Sequence, residues 1–368
     1  MIHGGDIYRH PVQYDFSVSL NPMGIPPGVR EAILAAAEEQ ICRPSYPQYD
    51  NSSLKESVSG FLKGQESESG RIPSDADESE RLLVGNGASE LLMCLCQTIR
   101  PKKALIPVPS FYGYERACDA VGCKIRFYDL RPENGYLPDQ DMLLQLTEDI
   151  DLVMLANPNN PTGRLTERGY LMELLVKCRQ NRIAVLLDES FIWFCHGTPS
   201  MTEVAEEFGN LFILGSFTKL FCIPGIRLGY LYGSDTEQIS RIGKNLAEWN
   251  VSAAAQKVGR ACTEEKTWTI RTKEYVKAER DYLWRSLEQV AESHRNAGLK
   301  LFESDANYLM LCCRLPLYDE LLGRGILIRN LENMRGLPGG FYRIGIRSRE
   351  ENEVLIRTIR EVISHDAE

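Results

Sequence analysis

The sequence predicts an α/β protein, with a large lobe built on a mostly parallel sheet covered by helices and a smaller α+β lobe after it. Three observations predict this. From about residue 82 to residue 233, short apolar runs alternate with amphipathic stretches at helical spacing, which is how strands buried on both faces and joined by crossover helices read. Polar and turn-forming residues cluster just past several of those runs, at Asn157 to Gly163, at Asp188 and at Ser216 to Lys219. After Gly233 the alternation gives way to longer helical segments with a few late strands.

Taken in order, Leu82 to Val84 is a strand leading through Gly85 and Gly87 into a helix over Leu91 to Thr98. Ala104 to Val108 is a strand, Tyr112 to Val121 a helix, Lys124 to Tyr128 a strand and Asp139 to Leu146 a helix. Asp151 to Ala156 is a strand, Glu167 to Gln180 a helix and Ile183 to Leu187 a leucine-rich, β-branched strand. Phe212 to Gly215 and Leu228 to Tyr232 complete the strands of this lobe. The smaller lobe has helices over Ser252 to Cys262 and Glu264 to Ala291. Strands then follow at Asn307 to Cys312, Gly325 to Arg329 and Phe341 to Arg347, before a closing helix over Glu350 to His365. The expected division is an N-terminal segment (1–45) packing with the small domain, a large domain (46–245) and a small C-terminal domain (246–368). Lys63 to Glu80, rich in Ser, Glu, Gly and Asp, is expected to be an exposed loop.

Composition narrows the function classes. A formal net charge of -9 argues against a nucleic-acid partner. No apolar run is long enough to span a membrane and no signal peptide is evident, so a cytoplasmic location is expected. Eleven cysteines, an odd number set in apolar runs, read as buried reduced thiols rather than a disulfide framework. Cys94 and Cys96, like Cys312 and Cys313, lack zinc-ligand spacing, so no metal is expected.

The chemistry starts at Ser216-Phe-Thr-Lys219, followed by Arg227-Leu-Gly229. A lysine there can form an imine with an aldehyde, while Ser216 and Arg227 can hold a phosphate dianion. Aldehyde and phosphate together describe pyridoxal 5'-phosphate (PLP). Asp188, at a strand's carboxyl end, can pair with the pyridinium nitrogen and keep the ring an electron sink, although a helix cap is the alternative role. The asparagines of Asn157-Pro-Asn-Asn160-Pro-Thr-Gly163 can donate to the ring's phenolic oxygen, or serve only as turn residues. In Gly85-Asn-Gly87-Ala-Ser89-Glu90, the backbone at Ala88 and Ser89 can cradle a phosphate, or the stretch can be ordinary helix capping. Phe111 is the candidate to stack on the ring, with a place in the core as its alternative.

In this order, G-N-G-x-x-E, P-x-F, N-P-x-N-P-T-G, D-E-x-F and S-x-T-K…G-x-R-x-G resemble a fold-type I PLP-dependent enzyme of the class I/II aminotransferase superfamily, over nearly the whole chain. The resemblance implies that Lys219 is the Schiff-base lysine, Asp188 the partner of the ring nitrogen and Asn160 the donor to the ring oxygen. It implies that Ala88, Ser89, Ser216 and Arg227 hold the phosphate, with Thr218 a weaker candidate. Tyr46 resembles the tyrosine that family members lend across a dimer interface, which implies a homodimer with shared sites.

Within the superfamily, two groups compete: the threonine-phosphate decarboxylases of cobalamin biosynthesis and the histidinol-phosphate aminotransferases. His3-Gly4-Gly5-Asp-Ile7 and Asp15-Phe-Ser-Val-Ser-Leu-Asn21-Pro-Met-Gly24 resemble the decarboxylases' opening, with Asp6 and Leu20 as departures; His3, Gly4 and Asn21 become substrate-binding candidates. Phe191 stands where aminotransferases commonly have a tyrosine. Ile326-Leu-Ile-Arg329 and Tyr342-Arg343-Ile-Gly-Ile-Arg347-Ser348 likewise resemble the decarboxylases. The bond that breaks is the one held perpendicular to the ring plane, so a decarboxylase must grip an anion other than the carboxylate. Arg329, Arg343 and Arg347 can supply those charges for a phosphorylated amino acid. The expected reaction is decarboxylation of L-threonine O-3-phosphate. Histidinol-phosphate transamination and a non-catalytic PLP-binding regulator are the alternatives; the acidic chain argues against the last.

Overall fold

The computed structural model describes residues 4–68 and 79–365. Its seven-stranded sheet runs, from one edge to the other, Leu82–Gly85, Gly229–Gly233, Leu211–Ser216, Ala184–Asp188, Leu152–Ala156, Lys103–Val108 and Lys124–Asp129. The last five are mutually parallel, and Gly229–Gly233 is antiparallel to both neighbours. The connection from Leu211–Ser216 to Gly229–Gly233 holds only the four-residue helix Phe217–Leu220 and turns, with no longer helix to cross over the sheet, and the chain returns antiparallel.

Alternation along the strands builds two cores. Leu105, Val153, Val185, Leu187 and Ile213 face one, while Ile106, Met154, Leu186, Phe212 and Leu214 face the other, the period of two that a pleated strand imposes. Each such buried side chain contributes about 1.5–3 kcal/mol. Helices Pro27–Cys42 and Ser52–Glu68 were not expected; both pack on Ala253–Glu264, and Val29, Leu54, Val58 and Val258 join the first core. The Lys63 to Glu80 stretch is therefore not all loop: its start lies in the helix that runs to Glu68, and Ser79–Arg81 is a 3-10 turn. Its central part, 69–78, lies outside the described residues, as does His3.

The smaller lobe has an antiparallel sheet ordered Arg329–Asn330, Phe341–Gly345, Tyr308–Cys312 and Lys300–Phe302, packed against helices Trp268–Ser293 and Arg349–His365. The single strand expected over Gly325 to Arg329 is in fact two. Ile326–Leu327 pairs with Tyr14–Asp15, and the chain then changes sheets at Ile328. In the second pairing Arg329 is the direct cross-strand partner of Arg343, so both side chains leave the sheet on one face. The described residues contain no helix long and apolar enough to cross a membrane.

Candidate active site

A cavity opens at the carboxyl ends of the parallel strands, where open α/β sheets place ligands. Phe111, Asn160, Asp188, Ser216, Thr218 and Lys219 line it from the loops after four strands. Ala88, Ser89 and Arg227 line it from one side and Gly4, Arg329 and Arg343 from the smaller lobe's side. Four cations (Lys219, Arg227, Arg329 and Arg343) face one carboxylate, Asp188. Such a lining favours a ligand carrying several negative charges.

Lys219 sits on the short helix Phe217–Leu220. Burial, then the neighbouring Arg343 and Arg227, push its ammonium down to about 8, with Asp188 acting in the opposite direction. The neutral amine, the nucleophilic form, is thus populated near neutral pH. Asp188 is held by two donors: the Ser190 N–H to Oδ1 at 2.9 Å and the Tyr114 hydroxyl to Oδ2 at 2.8 Å. Burial pushes the Asp188 carboxyl up, and the bonds from Ser190 and Tyr114 and the Lys219 charge oppose that rise. A protonated ring nitrogen is a partner that favours the ionised carboxylate.

The anion cradle is built by close approach. Gly87 has φ +79°, and a Cβ there would lie 2.6 Å from Arg227 Nη2; glycine is what lets the guanidinium lie against the start of helix Ala88–Ile99. Arg227 itself has φ +60°, and its Nη1 donates to the Pro224 carbonyl at 3.2 Å. Glu90 fixes the loop by accepting the Asn86 N–H at 2.7 Å. Ala88 and Ser89, at the start of that helix, line the cavity together with Ser216 and Arg227, a set of groups able to hold a phosphate.

Of the three asparagines after Ala156, only Asn160 lines the cavity. Asn157 Oδ1 accepts the Thr166 N–H at 2.8 Å, and Asn159 donates to the Pro109 carbonyl and Thr162 Oγ1, both at 3.1 Å. These two are turn residues, not ring donors. Arg343 Nη1 donates to Asn160 Oδ1 at 2.6 Å, which leaves the Asn160 amide NH₂ as the group able to donate to a ligand. Arg343 Nη2 donates to the Ser17 carbonyl at 3.1 Å, and its guanidinium lies over the Tyr308 ring at 5.1 Å. All these partners are neutral, and Arg343 Nε is buried with no partner among the described residues. Arg329 is pushed down to about 10 by burial and by Arg343, and its Nη2 donates to Asn333 Oδ1 at 2.8 Å.

Two expected residues lie elsewhere. Asn21 donates to the Leu220 carbonyl at 2.7 Å and to Thr272 Oγ1 at 2.8 Å, and accepts the Met23 N–H; its amide is consumed in packing the N-terminal segment. Arg347 lies outside the lining and donates to the Asp15 carbonyl, beside the Tyr14–Asp15 pairing. Tyr46, expected to reach a partner's cofactor across a dimer interface, is 82% exposed and lies against Trp249 at 5.3 Å. Phe111 does line it, edge-on to Tyr114 at 5.5 Å, and Phe191 lines it edge-on to Tyr308 at 5.1 Å. Sequence reasoning missed Tyr114, although its position three residues after Phe111 on a helix could have pointed to it. Ser17, Tyr112 and Met334, also in the lining, carry no comparable signal.

The family model for "Aminotransferase class I and II" matches residues 11–359. The chain is 31% identical to the threonine-phosphate decarboxylase of Salmonella typhimurium, over 98% of this chain and 96% of that protein. It is also 30% identical to a histidinol-phosphate aminotransferase of Archaeoglobus fulgidus, over 95% and 92%. Among solved structures, the histidinol-phosphate aminotransferase of Clostridium acetobutylicum superposes with a TM-score of 0.84 at 26% identity, covering 96% of this chain and 99% of that one. The L-threonine-O-3-phosphate decarboxylase of Porphyromonas gingivalis, at 22% identity, shares the fold with a TM-score of 0.77 over 95% and 99%. The aldehyde- and phosphate-bearing group that Lys219, Asp188 and the Gly87 cradle fit is pyridoxal 5'-phosphate, and the chain belongs to the fold-type I, PLP-dependent class I and II aminotransferase family.

Proposed function

We propose that this protein decarboxylates L-threonine O-3-phosphate to (R)-1-aminopropan-2-yl phosphate and CO₂, as a cytoplasmic homodimeric enzyme of cobalamin biosynthesis. The observation that carries this reading is the cross-strand pair Arg329 and Arg343, both lining the cavity with Lys219. Like charges directly opposite one another in a sheet are destabilising, and the buried Arg343 guanidinium, whose hydrogen-bond partners are neutral, is costly. A dianionic phosphate on the substrate relieves both, with paired charge-assisted hydrogen bonds.

The residues that would hold the cofactor are Lys219 at its aldehyde, Asp188 at the ring nitrogen and Asn160 at the ring oxygen. Ala88, Ser89, Ser216 and Arg227 would hold its phosphate and Phe111 the ring face. When bound, PLP supplies an electron sink for the pair released from the bond that breaks. The rest falls to the chain. With Arg329 and Arg343 committed to the substrate phosphate, they would not clamp the substrate carboxylate, which leaves the bond from Cα to the carboxyl carbon free to be the one that breaks. CO₂ leaves, and Lys219, titrating near 8, delivers the proton that forms the new Cα–H bond. Phe191 gives an apolar wall where a hydroxyl is common in transaminases. Gly4, from the N-terminal segment, also borders this space, and substrate contact there is part of the proposal.

The second reading, histidinol-phosphate transamination, draws support from the similarity to the A. fulgidus protein. Offering the holoenzyme threonine phosphate, serine phosphate and histidinol phosphate separates the two. The proposal requires 1-aminopropan-2-yl phosphate from the first without any 2-oxo acid present. No product there, with turnover of histidinol phosphate only on adding 2-oxoglutarate, would refute it.

A further inference from the structure

Arg329–Asn330 and Phe341–Gly345 pair directly, yet the ten residues 331–340 between them leave the small-lobe sheet and cross to the large lobe. Two residues of this excursion serve the cavity: Asn333 accepts from Arg329 Nη2 at 2.8 Å, and Met334 is part of the wall. The next two dock the excursion. Arg335 lays its guanidinium over the Phe127 ring at 4.1 Å and pairs with Glu115 at 3.4 Å. Gly336, at φ +82°, comes so close that a Cβ would stand 3.2 Å from the Val108 carbonyl carbon and the Pro109 nitrogen. Phe127 and Glu115 belong to the large lobe, on the strand and helix beside the Pro109-Ser-Phe111 loop. One strap thus ties the residue that holds Arg329 to the lobe that carries Lys219.

We propose that Arg335 is a positioning residue for the anion site. Its contacts with Phe127 and Glu115 fix the strap, and through Asn333 they set where the Arg329 guanidinium stands relative to Lys219. This rests on the reading of Arg329 and Arg343 as the clamp for the substrate phosphate. A stacked cation and a partly exposed ion pair are each modest interactions, so the expected effect is graded, about three- to tenfold in affinity.

The probe is inorganic phosphate, bound to the PLP-loaded protein and measured by calorimetry, because the cofactor then fills the Gly87 cradle and leaves the arginine pair to be read. Arg335→Ala is expected to weaken phosphate binding about three- to tenfold, leaving the affinity for PLP unchanged. Glu115→Gln, which approaches the contact from the large lobe, should move it the same way by less. Asn333→Ala should weaken it too, and adding Arg335→Ala to Asn333→Ala should cost little more, since both act through one chain of contacts. Phosphate affinity unchanged in Arg335→Ala overturns the inference. So does an equal loss of PLP affinity, or a parent protein that binds no phosphate. Phosphate binding that responds to Arg335 in a protein that does not decarboxylate threonine phosphate refutes the proposed function alone.

Discussion

The Tyr114 hydroxyl, on a wholly buried side chain, donates to Asp188 Oδ2 across 2.8 Å. With the Ser190 N–H on the other oxygen, it orients the carboxylate and opposes the rise in its pKa that burial causes. A hydrogen bond to a charged group is worth about 1.5–3 kcal/mol. Tyr114→Phe removes that bond and keeps the ring, so PLP affinity and turnover should each fall about tenfold or more. The checks are cofactor titration and initial rates; unchanged values of both would contradict this role for Tyr114.

Lys219 gives a pH signature without the cofactor. Its folded-state pKa lies near 8, below the ordinary 10.5. The unfolded chain therefore binds more protons between these values, and stability rises with pH across that window. The cost of the buried charge is fully present below pH 8 and gone above about 10.5. Urea unfolding of the apoprotein should show this rise, and Lys219→Met should flatten it while being more stable than the parent at pH 7. The same substitution removes the visible absorbance of lysine-bound PLP.

Arg343→Met removes a buried cation that has only neutral partners. Replacing such a charge with an apolar group of similar size is neutral or stabilising, so the urea midpoint should stay level or rise. Substrate affinity should fall by about a hundredfold or more, as expected for loss of charge-assisted bonds of about 1.5–3 kcal/mol each. A KM change under threefold would mean that the phosphate binds elsewhere.

Gly87→Ala places a methyl 2.6 Å from Arg227 Nη2 in a left-handed backbone. The backbone strain costs about 1–3 kcal/mol, and Arg227 must leave the cradle. PLP binding should weaken at least tenfold while Tm drops only a few degrees, as read by cofactor titration and thermal melting.

Much of this was legible in the sequence because local signals coincide with burial. Most strands from Leu82 to Gly233 are short apolar runs, and polar residues at or just past the ends of three of them, Asn160, Asp188 and Ser216, line the cavity. The helices Pro27–Cys42 and Ser52–Glu68 went unseen for physical reasons. The first is alanine-rich with a weak apolar stripe, and the second carries five serines and two glycines in a polar context. Asn21, Asn157 and Asn159 show the limit of reading polar residues in motifs, since each spends its amide on backbone or core groups instead of facing the cavity. The pairing of Arg329 with Arg343 depends on strand register across an excursion of ten residues, which composition and periodicity do not encode. Tyr114 was hidden because a buried tyrosine on a helix looks like core until its hydroxyl partner is known.

The fate of the carboxyl carbon separates decarboxylation from transamination. Holoenzyme is given threonine phosphate labelled at that carbon, without 2-oxo acid, and labelled CO₂ is counted against 1-aminopropan-2-yl phosphate. One CO₂ per molecule of amine product is expected, lost in Lys219→Ala and strongly reduced in Arg343→Met. Label retained in the amino acid, together with glutamate formed from histidinol phosphate and 2-oxoglutarate, would contradict it.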